Sequence, residues 1–168
     1  LEISTSEYDL PALFASRMWS IGVWFKTSAI SESTILGSQS GDPGVPIYDG
    51  LKFSVSKNNP GDIYVQIGTS QSISVNAEVA DDEWHRLWVI CSNDVLKIYV
   101  DMILIGVMSS ISNIANSGVS VYLGALNYNG VSCTPFIGIL QEFTVLDVPV
   151  DVPFINDDYN NGEGRFYC

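Results

Sequence analysis

Apolar and polar residues alternate along most of this chain with a period of two. That spacing marks strands with one face in a core. Leu51, Phe53 and Val55 alternate with Lys52, Ser54 and Ser56, and after the turn cluster Lys57-Asn58-Asn59-Pro60-Gly61 the residues Ile63, Val65 and Ile67 alternate with Tyr64 and Gln66. The two segments predict a hairpin. A second hairpin is predicted from Trp84–Cys91, rich in aromatic and β-branched residues, through Ser92-Asn93-Asp94 to Val95–Val100. Its turn residues bond locally and tolerate left-handed backbone. Leu96, Ile98 and Val100 point one way, Lys97 and Tyr99 the other. Further strands are expected at Ser20–Lys26, Thr34–Gly37, Ser72–Val75, Met102–Met108, Ser120–Leu123 and Phe136–Leu146, with a loop over 41–46. Many short strands with regular turns, and few helix signals, predict an all-β fold, an antiparallel β-sandwich. Trp24, Trp84, Leu96, Ile98 and Val100 are expected in its core.

The 168 residues carry no repeat, linker or low-complexity stretch and are read as one domain over 1–168. A hydrophobic fraction of 46% fits a globular protein. No window approaches the roughly 18 uninterrupted apolar residues of a transmembrane helix, so membrane insertion is not expected. The chain opens on Leu1 without a leader and is read as processed or as part of a longer chain.

Several stretches resemble one known family. Glu83-Trp84-His85, an apolar strand, a polar turn and then Leu96-Lys97-Ile98-Tyr99-Val100-Asp101 are similar to the central hairpin of laminin-G-like and pentraxin-like domains. Leu1-Glu2-Ile3 and Trp19–Lys26 resemble that family's first core strands. Phe136–Leu146 resembles its last strand, returning beside the first, and Asp157–Gly164 its closing segment. The resemblance covers roughly residues 1–165 and implies a concanavalin A-like jelly roll of the lectin and glucanase group. Two departures stand out. Relatives carry Asp-Gly after the Tyr-Val strand, but here Asp101 precedes Met102. Methionine disfavours the positive φ that glycine accepts, so this turn is expected to differ. Where many relatives carry Ile-Asp-Glu, with the aspartate holding a calcium, this chain has Leu140-Gln141-Glu142, which puts that site in doubt.

With 7 Lys+Arg against 19 Asp+Glu, the net charge is −12. Such a surface repels phosphate backbones, so nucleic acid is an unfavourable partner. Simple solubility is the plain reading of the charge, and cation binding the sharper one. Glycanases on such sandwiches keep paired carboxylates on one strand, as in Glu-x-Asp-x-Glu, and no such run is present. His85 is the one histidine, and no Gly-x-Ser-x-Gly elbow accompanies it. It is read as a structural residue of the hairpin, and the chain as not an enzyme. Cys91 reads as a buried thiol. Cys133 and Cys168 either pair in an oxidising compartment or stay free.

A binding function needs side chains outside the core. If the two hairpins share a sheet, Tyr64, Gln66, Lys97 and Tyr99 line its open face. Tyr48 and Tyr128 are the loop aromatics, and Asn127 beside Tyr128 supplies an amide suited to hydroxyl recognition. Candidate carbohydrate contacts are therefore Tyr64, Gln66, Tyr99, Asn127 and Tyr128. The densest cluster of oxygen ligands, Asn156–Asn161, supports two readings. One is a calcium (Ca2+) site on Asp157 and Asp158, the other a capped turn or short helix start. By the family resemblance the expected function is recognition of a glycan or glycoprotein surface, at an extracellular, cell-surface or virion-surface location. The alternative is a structural or attachment domain of a phage or virus particle or surface filament, whose partners are neighbouring structural proteins.

Overall fold

A computed structural model describes residues 2–3, 13–14, 16–40, 49–68, 71–111, 120–129 and 131–160. Among these, two sheets form a β-sandwich. The larger sheet runs in the order β1 (Glu2–Ile3), β10 (Val121–Leu123), β3 (Ser33–Ser40), β4 (Asp49–Val55), β5 (Asp62–Ile67) and β6 (Gln71–Asn76). β11 (Leu126–Tyr128) adds to β3 in parallel and pairs with β12 (Val131–Cys133), which makes eight strands. The smaller sheet has five strands: β13 (Ile139–Leu146), β2 (Met18–Lys26), β7 (Trp84–Ser92), β8 (Val95–Val100) and β9 (Ile103–Ser109). Both expected hairpins form, β4–β5 and β7–β8, but in different sheets.

The alternation read from the sequence builds the core between the sheets. Leu51, Phe53, Val55, Ile63, Val65 and Ile67 meet Ile21, Val23, Phe25, Leu87, Val89, Leu96, Ile98 and Val100 there, all buried. Each such side chain contributes about 1.5–3 kcal/mol by leaving water. Trp24 is buried as expected, whereas Trp84, at the start of β7, is half-buried. No helix among the described residues is long and apolar enough to cross a membrane.

A helix, α1 (Val152–Tyr159), lies on the outer face of the five-stranded sheet. The Asp151 side chain accepts from Phe154 N at 3.0 Å, and a proline sits in the first turn. An acceptor before the helix with proline inside its first turn is a standard start signal. Asn160 closes the helix in left-handed backbone. Beneath α1, Ile155 and Phe154 pack against Trp88, Ile90 and Tyr99 in a second apolar cluster, and Tyr159 stacks on Trp24 at a centroid distance of 5.6 Å. Gly22 makes room for this layer, since a Cβ there would lie 2.6 Å from the Trp88 indole.

The turn between β8 and β9 corrects the sequence reading. Asp101 and Met102 have φ of 48° and 68°, so the left-handed turn survives without its glycine. Hydrogen bonds hold it: Arg86 N donates to Asp101 Oδ1 at 2.8 Å, and Asp101 N donates to Arg86 O at 3.0 Å.

Candidate functional site

The outer faces of the two sheets differ. On the five-stranded sheet α1 covers the centre, and Arg86 and Asp158 are buried beneath it. Asp158 accepts from Arg86 Nε at 2.7 Å, Arg86 Nη2 at 3.2 Å and Trp88 Nε1 at 2.9 Å. Arg86 Nη1 also donates to Glu142 O at 3.0 Å. The Asn156–Asn160 stretch is thus the last turn and cap of a helix rather than its start. Asp158, expected as a calcium ligand, spends its carboxylate on a buried guanidinium and an indole, and Asp157 is exposed. Among the described residues no three His, Cys, Asp or Glu side chains group to hold a metal ion.

Tyr99 requires a second correction. It faces away from the core, as the alternation says, yet it is only 7% exposed because the α1 layer covers it. It does not share a face with Tyr64 or Gln66, which belong to the other sheet.

The outer face of the eight-stranded sheet is polar. Register puts Thr34, Ser54, Tyr64 and Ser74 in one row across β3–β6, and Gly37, Lys52, Gln66 and Ser72 in the next. A third row runs from Tyr128 through Gln39 to Gly50. Exposure falls steadily across the strands. Ser72 and Ser74 are exposed, Tyr64 and Gln66 half-buried, and Lys52, Ser54 and Gln39 buried. Tyr64 Oη donates to Gln66 Oε1 at 3.2 Å, and Gln66 Nε2 donates to Gly68 O at 3.4 Å, which orients both side chains. Gln39 Nε2 and Ser54 Oγ are buried without a hydrogen-bond partner. A buried unmet polar atom costs about 1–3 kcal/mol.

Charge on this face is balanced internally. Lys52 Nζ contacts Glu32 Oε1, and Lys57 Nζ reaches Glu32 Oε2 at 2.9 Å. Burial raises the Glu32 pKa, but the two lysines outweigh it and hold the carboxyl below its ordinary value. Asp62 accepts from Asn59 Nδ2 at 3.0 Å and Ser74 Oγ at 2.8 Å.

The structure therefore brings Tyr64, Gln66 and Tyr128 to one face. Tyr64 and Tyr128 stand three strand spacings, about 14 Å, apart across the sheet and two rows, about 13 Å, apart along it. Asn127 lies in the row of Ser38 and Leu51 and is buried, its Nδ2 donating to Ser120 O at 2.7 Å. Tyr48 and Cys168 fall outside the described residues, and Cys133 carries a free thiol. Sequence reasoning missed Gln39, Lys52, Ser54 and Glu32. The first three alternate with core residues on their strands, and that was a usable signal. Glu32, in the segment before β3, gave none.

His85 is held between two carboxylates. Its Nδ1 lies 2.7 Å from Asp101 Oδ2 and its Nε2 3.0 Å from Asp81 Oδ1. Burial lowers its pKa, but the two carboxylates outweigh burial and raise it above the ordinary value of 6.5.

Residues 4–155 match the laminin-G family described as the concanavalin A-like lectin/glucanases superfamily. The chain belongs to this family. Among solved structures, this concanavalin A-like domain is similar to the Ruminococcus gnavus IT-sialidase CBM40, with a TM-score of 0.71 and 16% identity over 98% of this chain and 96% of that one. It is also similar to domain 4 of AbnA, a GH43 extracellular arabinanase from Geobacillus stearothermophilus solved with arabinotriose. There the TM-score is 0.61, with 16% identity over 84% of this chain and 66% of that one. A structure of botulinum neurotoxin type C, whose cell entry depends on two ganglioside molecules, gives a TM-score of 0.57 and 15% identity over 85% of this chain and 35% of that one. These likenesses speak to the fold. No curated protein sequence matches the chain.

Proposed function

We propose that this domain is a non-catalytic glycan-binding module and that its contact surface is the outer face of the eight-stranded sheet. One observation carries this reading: register brings Tyr64, Gln66 and Tyr128, all half-buried and open to solvent, onto one polar sheet face. Sugars offer hydroxyls to such amides and apolar ring faces to tyrosines. The similar CBM40 has been solved with α2,3-sialyllactose and the similar arabinanase domain with arabinotriose, which supports glycans as the ligand class. Binding without hydrolysis fits the carboxylates at this face. Glu32 is held by two lysines and Asp62 by Asn59 and Ser74. Each is thus tied to its neighbours, and the strands carry no run of alternating carboxylates such as a retaining glycosidase uses. A module of this kind works where glycans are displayed, on or outside a cell or on a virion.

The test is retention on an oligosaccharide array, comparing wild type with Tyr64→Ala and Gln66→Ala. Both variants are expected to keep the wild-type circular dichroism spectrum and lose retention, and every oligosaccharide is expected to be recovered uncut. Retention unchanged in both variants would reject the face, and cleaved product would reject the non-catalytic reading.

A second reading, attachment to a neighbouring structural protein, has one observation in its favour. β9 is an edge of its sheet among the described residues, carries no charged side chain, and exposes Ile103, Leu104 and Val107. An exposed apolar edge is a template for strand addition by another chain. Tight binding to such a protein, with no sugar retained, would favour this reading.

A further inference from the structure

We infer that this face selects uncharged glycans over sialylated or uronic ones, and that Glu32 sets the selection. The inference rests on the glycan-binding reading above and adds the chemical class of its ligand. An acidic sugar brings a carboxylate that needs a cation. The chain has seven Lys and Arg, of which Arg165 lies outside the described residues. Of the other six, five already pair with a carboxylate: Arg17 with Asp94, Lys26 with Asp82, Lys52 and Lys57 with Glu32, and Arg86 with Asp158. The sixth, Lys97, belongs to the other sheet.

Glu32 is placed to act as the selector. Its carboxylate bridges both lysines of the polar face, and its side chain is only 18% exposed, so water screens the contact poorly. A sugar carboxylate has to displace Glu32 from Lys52 and then sit beside the Glu32 carboxylate, in a molecule of net charge −12. A sugar hydroxyl meets no such obstacle, since it carries no charge and can bond the half-buried Tyr64 hydroxyl and Gln66 amide as either donor or acceptor. Like-charge juxtaposition against the wrong partner is a recognised route to specificity.

The test uses the whole domain on surfaces bearing neutral sugars (lactose, N-acetyllactosamine, arabino-oligosaccharides) and acidic ones (α2,3-sialyllactose, polygalacturonate). Wild type is expected to prefer a neutral sugar by on the order of tenfold or more, the scale of one charge-assisted hydrogen bond. Glu32→Gln leaves the two lysines without their counter-charge. It is expected to gain binding to the acidic sugars, and that gain is expected to fade as salt rises. Wild type retaining acidic sugars as well as neutral ones overturns the selectivity while glycan binding stands. A folded Glu32→Gln variant with unchanged preference overturns the role of Glu32. No sugar retained by wild type fails the underlying reading and this inference with it. The wild-type preference is read without any variant, so an unfolded Glu32→Gln protein still leaves the selectivity decided.

Discussion

Removing the Asp158 carboxylate is expected to cost this domain much of its stability. The side chains of Asp158 and Arg86 are 4% and 2% exposed, and the two are joined by two hydrogen bonds. Asp158→Ala leaves the Arg86 guanidinium buried, with Glu142 O still accepting from it. It also leaves the Trp88 indole N–H without its carboxylate. Breaking one side of a buried pair costs about 3–5 kcal/mol, because the surviving charge has lost its compensation. The unmet indole adds to the same loss rather than as a separate sum. Set against a total of roughly 5–15 kcal/mol for a domain, such a loss brings the protein close to unfolding.

Urea unfolding followed by tryptophan fluorescence measures this directly, since Trp88 and Trp24 flank the pair. The Arg86 guanidinium lies 4.8 Å and 5.9 Å from their ring centroids. The double variant Arg86→Met/Asp158→Leu removes both charges and is expected to recover most of the loss. A loss below about 1 kcal/mol for Asp158→Ala would refute the account of a buried pair. A loss seen only with calcium present would restore Asp158 as a metal ligand.

Three further predictions follow from local geometry. The raised His85 pKa means that its links to Asp101 and Asp81 stabilise the fold fully below about pH 6.5, the ordinary value, and weaken as pH rises through the folded value. The melting temperature of wild type relative to His85→Asn is therefore expected to fall as pH rises above about 6.5, and a flat difference would refute it. Met102→Gly is expected to stabilise by up to about 1 kcal/mol, because glycine takes the φ of 68° without the cost methionine bears, less its own chain entropy. A lower urea midpoint would count against it. Gly22→Ala is expected to destabilise by about 1–3 kcal/mol, because its methyl meets the Trp88 indole, and an unchanged midpoint would show that the indole moves freely.

The fold was legible because its strands obey a period of two. Apart from Trp84, which is half-buried, every residue expected inward on the two hairpins lies in the core, from Leu51 to Val100. The turn at Asp101-Met102 was misread because a propensity rule was applied without its neighbours. Arg86 and His85 supply the hydrogen bonds that hold methionine in left-handed backbone. The same limit applies at the helix. Asp151 with Pro153 was a readable start signal, but the apolar residues around it, Val148, Val150 and Phe154, resemble a strand's end as much as a helix's beginning.

The site was legible in half, and Tyr64 and Tyr99 show why. Each stands on the second strand of a hairpin, and each points away from the core. The alternation that identified both as outward says nothing about what lies beyond the sheet. Tyr64 ends half-buried on a polar face, bonded to Gln66. Tyr99 ends beneath a helix that begins at Val152, half a hundred residues later in sequence, and that Asp158 ties to Arg86. Periodicity sees one strand and its two sides, whereas a second layer is a contact between distant segments. The residues that could have announced it were Arg86 and Trp88, two long polar-tipped side chains on the same outward face of an apolar strand. A cation at that position in a chain of net charge −12 was itself a sign that a carboxylate had to come and meet it.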